Sequence, residues 1–408
     1  MLATLIPLFD DRMNVCAYSV FAQRENLLLN PGFAGSGRYD GAANIVGFDI
    51  INSTGVETLG DKADVFIEIN NISVFANIDS QTDAPNERIV LLFDNSIKPD
   101  ETYVKRIREL KEQGFKTAIR KITIDKFEAY RDILLMMDYL LLDHKKINIK
   151  NAKGILSKVY PNLRLIAVNV NTQDDYDMLK EHGGYDLYEG DFFRMPVTEK
   201  ATEIAPLKIN YIELLNVVNA PDFDLTTAAD VIGRDTALVI SLLDMVNRMT
   251  MNAGITSVSH AAAMLGQQEL KKWINTAVTK ELCADKPSEI TRISLLRAKF
   301  SENLASIFEM AGLASELFLA GMFSVLDIML DQPMEEALKV VKVSKNISDA
   351  LLNDKGNLAP MLRFVKAYEN ASWQEVSRVM VLDKIEMDAV YGAYIKTLEW
   401  YRDLFRQS

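Results

Sequence analysis

Along the first half of the chain, short apolar runs alternate with segments whose apolar positions recur every three or four residues. Val65 to Ile69 and Ile89 to Phe93 are apolar almost throughout, the pattern of strands covered on both faces. After the second of these comes ETYVKRIRELKEQG, where Val104, Ile107 and Leu110 share one helical face. Pro99-Asp100 opens that helix and Gly114 supplies its stop. KTAIRKITI reads as a strand, followed by a helix near 126–134, then strands at DYLLLD and RLIAVNV. DDYDMLKEHG is the next helix and YDLYEG the last strand. Repeated strand–helix units build a parallel sheet, and about eight strand candidates favour closing it into a barrel.

Beyond Pro196 the pattern changes. VTEKATEIAPLKIN is a polar connector, and from Tyr211 to Ser408 strand signals almost vanish. ALVISLLDMV, AAAMLG, ISLLRAKFSENLASIFEMAG and SELFLAGMFSVLDIML carry helical periodicity, with stops at Gly254, Gly266, Gly312, Pro333, Gly356 and Pro360. The expected organisation is an α/β barrel over residues 1–203 and an all-α domain over 204–408.

Composition narrows the function classes. The chain has 408 residues, 49% hydrophobic and 25% charged, values that exclude disorder and a coiled coil. Its 45 Lys+Arg against 57 Asp+Glu give a net charge of -12, which repels phosphate backbones and argues against a nucleic-acid partner. Cys16 and Cys283 lie far apart with no CxxC pairing, so neither a disulfide scaffold nor a zinc ribbon is expected, and a reducing cytoplasm is. MLATLIPLFDD has no basic stretch ahead of its apolar run, so no signal peptide is expected. No uninterrupted apolar stretch reaches ~18 residues, so no membrane span is expected either. The richest window, Leu134 to Leu142, is broken by Asp138 and reads as a buried strand.

Specific passages carry a family resemblance. LFLAGMFSVLDIMLDQPMEEAL, ISDALLNDKGNLAPMLRFVKAYENASW, DLTTAADVIGRDTALVISLLDMVN and ITSVSHAAAMLGQQELKKW resemble the HDOD domain, an all-helical relative of HD hydrolases without their metal-binding histidines. The N-terminal half resembles an EAL domain, the TIM-like barrel of cyclic di-GMP phosphodiesterases. Together the chain is similar to bacterial EAL–HDOD signalling proteins. In active EAL domains, carboxylates at barrel strand ends hold two divalent cations that activate water and clamp the phosphodiester. Carried over to this chain, the signature Glu falls on Ser19 in AYSVFAQ, and the usual Arg falls on Gln23, with Arg24 beside it. The Asn ligand survives as Asn71, while the next Glu falls on Asn95, beside Asp94. The paired aspartates become Arg120 and Lys121, and the catalytic Lys becomes Leu141, although Asp143 remains. The AEGVET segment places Val168 and Asn171 at its Glu positions. Glu189 replaces the Gln of the last motif, whose Gly190, Phe193 and Pro196 are kept. This pattern implies no metal, no cofactor and a catalytically silent, degenerate barrel.

The expected function is therefore a cytoplasmic, non-enzymatic adaptor or scaffold near cyclic di-GMP signalling, working through protein partners, with self-association left open. The alternative is a metal-independent receptor for cyclic di-GMP, or another anionic nucleotide, through Arg120 and Lys121. Residual phosphodiesterase activity is the third reading. Against the receptor stands an architectural reading, in which Arg120 and Lys121 pair with Asp94, Asp143 or Glu189. In the helical domain the resemblance singles out Asp235, Asn247, Gly266, Ser324 and Asp327. Asp235 and Asn247 suit helix caps and cross-links. Gly321, Ser324 and Asp327 share a helical face, with the glycine admitting a neighbouring helix. None of His144, His182 and His260 sits in an HD dipeptide, so no HD-type metal centre is expected.

Overall fold

The computed structural model describes residues 1–23, 45–56, 63–147, 149–198, 204, 206–220, 222–250 and 254–405. Arg24 and most of the connector at 199–205 lie outside the described residues. The first half runs β1 (Leu2–Phe9), β2 (Val15–Gln23), α1 (Val46–Thr54), β3 (Asp64–Glu68), β4 (Ile89–Phe93) and α2 (Glu101–Glu112). It continues with β5 (Lys116–Arg120), α3 (Arg131–Leu134), β6 (Tyr139–Asp143), α4 (Ile149–Val159), β7 (Arg164–Val168), α5 (Gln173–His182) and β8 (Leu187–Glu189). The strands close a barrel in the order β1 to β8. β1 is antiparallel to both neighbours, and β2 through β8 run parallel.

Local chemistry explains the element limits. The Asp100 side chain accepts from the N–H groups of Thr102 and Tyr103, capping α2, while Ile107 and Leu110 turn inward. Such a cap stabilises by about 1 kcal/mol. The window from Leu134 to Leu142 is not one strand, because α3 ends at Leu134 and β6 begins at Tyr139. Asp138 sets the break: its carboxylate accepts from Thr117 N and pairs with Lys111 at 2.7 Å, which holds a turn there. MLATLIPLF, weighed in the sequence only as a targeting segment, is the first barrel strand.

The second half is helical: α6 (Pro206–Asn219), α7 (Leu225–Ile232), α8 (Thr236–Met249), α9 (Val258–Leu282), α10 (Ser288–Ala305) and α11 (Ala314–Met322). Then follow α12 (Leu326–Leu330), α13 (Met334–Val340), α14 (Lys345–Asn353), α15 (Ala359–Glu369), α16 (Trp373–Leu382) and α17 (Met387–Phe405). α9 is interrupted at Gly266, whose φ of 72° no helix allows. Ala311–Leu330 is long and apolar enough to cross a membrane, but 67% of it is buried inside the fold. A 3-10 turn at Phe323–Val325 also breaks it, so the stretch behaves as core.

By contacts the chain forms two compact units. One is Met1–Met195 with 307–309 and Arg363–Arg402; the other is Pro196–Ser306 with Met310–Leu362 and the last residues. A single cut at 203/204 differs from this division in where residues 363–402 belong. Those residues join the barrel through buried polar and aromatic contacts: the Ala3 N–H donates to the Tyr368 hydroxyl oxygen at 3.4 Å, and the Tyr394 hydroxyl meets Thr4 Oγ1. Gln23 at the end of β2 donates to Ser377 of α16. In the helical unit α10 is buried along most of its length, and α11 crosses it at Gly321. A Cβ there would lie 2.5 Å from the carbonyl of Arg297, so only glycine permits that approach.

Candidate functional site

Side chains of a strand alternate between the two faces of its sheet. Ala17, Phe66, Leu92, Ala118, Leu141, Ile166 and Leu187 belong to the apolar cluster that fills the barrel. Two residues further along β3 to β8, the same parity delivers Glu68, Asp94, Arg120, Asp143, Val168 and Glu189 to the C-terminal ends of the strands. That end is where barrel folds of this kind carry their sites. The mouth is therefore ringed by ionisable groups above a dry, packed interior.

Their pairing is specific. Arg120 Nη2 lies 2.6 Å from Glu68 Oε1, and its guanidinium sits 5.8 Å from the centre of the Phe21 ring. Arg120 Nε is buried without a hydrogen-bond partner, and so is Ser19 Oγ. Lys121 adopts a left-handed φ of 61° and reaches Asp94 at 3.4 Å. Asp143 pairs with Lys146 at 3.0 Å. Burial works to raise the pKa values of Asp94 and Asp143, but hydrogen bonds outweigh it. Ser96 and Lys121 hold Asp94 below the usual carboxylate range; Lys146, Lys145 N–H and Asn169 do so for Asp143.

Glu189 behaves differently. Burial pushes its pKa up to about 7; Arg120 pulls against that rise, and Glu68 adds to it. Gly190, next in the chain, has a φ of 150°, and a Cβ there would fall 1.9 Å from the carbonyl of Val170. The Val170 N–H donates to Glu189 O, so the glycine lets β8 close against the end of β7 and fixes Glu189 at the rim.

The other sequence-derived positions scatter. Asn71 and Asn95 are exposed on the turns after β3 and β4, and each offers a backbone carbonyl to a tyrosine hydroxyl. Asn171 is exposed, Leu141 is part of the barrel interior, and Gln23 is turned to α16. Glu68 was missed because the motif comparison settled on Asn71 three residues later, although the alternation in VFIEIN already places Glu68 inward. In the helical unit, Asp235 caps α8 and accepts from Tyr211, while Asn247 bonds both backbone groups of Ile255. Ser324 accepts from Arg297 and donates to Gly321 O, and Asp327 accepts from Val197 N. His144 is buried with Nδ1 at 2.9 Å from Val168 O.

The EAL resemblance implies a two-cation centre, and the donor set does not fit one. Glu68 and Glu189 face the Arg120 guanidinium, and Asp94 and Asp143 each hold a lysine. Among the described residues no group of three or more His, Cys, Asp or Glu side chains converges on a metal-sized space.

Known proteins add to this picture. A family model of the HDOD domain matches residues 204–355. Over 79% of the chain and 75% of the relative, the sequence is 26% identical to cyclic di-GMP phosphodiesterase CdgJ of Vibrio cholerae serotype O1. It is also 26% identical to uncharacterized protein YuxH of Bacillus subtilis, over 98% of this chain and 97% of that one. Among solved structures, a standalone EAL protein from Vibrio cholerae O395 in its c-di-GMP bound form is 18% identical, with a TM-score of 0.35 over 47% of this chain and 90% of that chain.

The similarity to a protein named for phosphodiesterase activity overturns the expectation of a non-enzymatic, degenerate adaptor. The physical reason is that the expectation counted lost ligands position by position. It did not count Glu68, which strand parity brings to the same rim as Asp94, Asp143 and Glu189. The chain thus combines the eight-stranded barrel expected of the EAL resemblance with helices whose residues 204–355 match the HDOD domain model.

Proposed function

We propose that the barrel mouth binds cyclic di-GMP and that the chain acts on it as a phosphodiesterase, in the cytoplasm. The substrate class rests on the similarity to the Vibrio cholerae relative. The site rests on one observation: a guanidinium with a buried, unpaired Nε shares the rim with a carboxyl whose pKa is about 7. Arg120 is suited to a phosphodiester oxygen, because a guanidinium donates to two oxygens at once. Hydrolysis joins a water oxygen to phosphorus and releases a ribose oxygen, so one proton must leave the water and one must reach the leaving group. Glu189 is half protonated near neutral pH and can serve either transfer.

The test is turnover of cyclic di-GMP by the full chain, followed by chromatography, with and without Mn²⁺. Linear dinucleotide is the expected product. Glu189→Gln should lower turnover by about 100-fold with little change in affinity, the usual scale for losing a general acid or base. Arg120→Met should weaken binding instead. No product above buffer under either condition overturns the proposal.

A further inference from the structure

The helical unit holds a cavity of ≈300 Å³, lined by the end of α6, the following loop, the part of α9 beyond Gly266 and the start of α11. Its wall is mixed in a way that core voids are not. Phe223 and Phe318 supply buried aromatic surface, and Asn219, Gln267 and Asn275 supply amides. Asn275 is fully buried and accepts from Asn219 Nδ2 at 2.9 Å, so the amides are held in place before any ligand arrives.

Two consecutive lysines border this space with opposite circumstances. Lys272 is neutralised by Glu302 at 2.8 Å and Glu269 at 3.3 Å. Lys271 is half-buried, and the described residues give its ammonium no carboxylate. Burial alone lowers its pKa. A cation withdrawn from water without a counter-charge is costly, and an anionic ligand is the partner that would relieve it. The break at Gly266 is what brings this about: it restarts the helix at Gln267, turning residues 267–272 toward Phe223, whose carbonyl accepts from Gln267 Nε2.

We propose that this cavity is a second ligand site, one that takes a nucleoside monophosphate. The phosphate would lie on Lys271, the flat base against Phe223 and Phe318, and the base edges on the amides. Asn and Gln both donate and accept, as nucleobase edges do. The volume stands at the lower end of the ≈300–1,000 Å³ typical of small-molecule sites, enough for a mononucleotide and too small for a cyclic dinucleotide. The site lies wholly in the helical unit and does not depend on the activity assigned to the barrel.

Calorimetric titration of AMP and of GMP into the full chain tests it, with adenosine and inorganic phosphate as partial ligands. One of the two nucleotides should bind saturably, more tightly than either partial ligand. Lys271→Met should weaken that binding by about tenfold, the scale of a lost charge-assisted contact. Ser315→Tyr, which fills the cavity from its exposed edge, should abolish it, with folding checked by circular dichroism. Glu189→Gln should bind the nucleotide as the unmodified chain does. Absence of saturable binding by both nucleotides overturns the proposal, and so does binding that survives both Lys271→Met and Ser315→Tyr.

Discussion

The barrel mouth and the polar positions of the helical unit use the same residue types to different ends. In the helical unit, Asp235, Asn247, Ser324 and Asp327 are bonded to backbone groups, where they end helices or tie one to another. At the barrel mouth, Glu68, Arg120 and Glu189 project from strand ends and meet one another through their side chains, while Asp94 joins Lys121 and also accepts from Ser96 N. A backbone bond fixes a side chain and removes it from chemistry. A side-chain pair at a rim can be displaced by a ligand of matching charge. The lesson is that residue identity says little here until the partner is known.

The sharpest way to break this comparison is at the two glycines, one in each unit. Gly190→Ala and Gly321→Ala should each cost about 3 kcal/mol or more, since the new Cβ meets backbone at 1.9 and 2.5 Å and neither carbonyl can move freely. Hydrogen exchange resolved by segment should show the loss confined to the unit that carries the change. A loss spread over both would mean that they unfold together.

The next effect is electrostatic. The pKa of Glu189 is raised in the folded chain, from 4.5 to about 7. In that interval the folded state binds more protons than the unfolded one, so stability is fully present below pH 4.5 and declines as pH rises through about 7. Thermal midpoints of Glu189→Gln should lose this part of the decline between pH 5 and 8. An unchanged slope would show that Glu189 titrates normally. Arg120→Met should raise the Glu189 pKa further, moving the pH profile of turnover upward.

Smaller still is the cap. Asp235→Ala should cost about 1 kcal/mol, read by urea denaturation, with no effect on turnover at the barrel. Smallest of all is Lys121→Gly. The Lys121–Asp94 pair is exposed on the lysine side and contributes at most about 1 kcal/mol. Glycine also tolerates the φ of 61° without strain, so stability should change by less than about 0.5 kcal/mol.

Much of the fold was legible in local pattern. IVLLF is wholly apolar and YLLLD is so up to its last residue, both are short and bounded by turn residues, and the α2 segment carries its cap, its stripe and its stop in sequence. β1 was not, since an apolar run at the start of a chain is compatible with several fates. The allegiance of residues 363–402 was not either, because helical periodicity gives a buried face without saying what covers it. At the site, Glu189 was found through the family motif, whereas its pKa depends on burial and on Arg120, which arrive from distant strands. Glu68 needed only the parity of VFIEIN, and its pairing with Arg120 needed the barrel.

The return of residues 363–402 to β1 and β2 has a consequence for how the protein is made. A ribosome emits the eight strands first, yet Ala3, Thr4 and Gln23 wait for Tyr368, Tyr394 and Ser377, more than 350 positions later. Contacts of such separation slow folding, because a long loop must close before they form. The segment that matches the HDOD model precedes residues 363–402 in the chain and can settle before they arrive. Until residues 363–402 emerge, the parts of β1 and β2 that they cover stay bare.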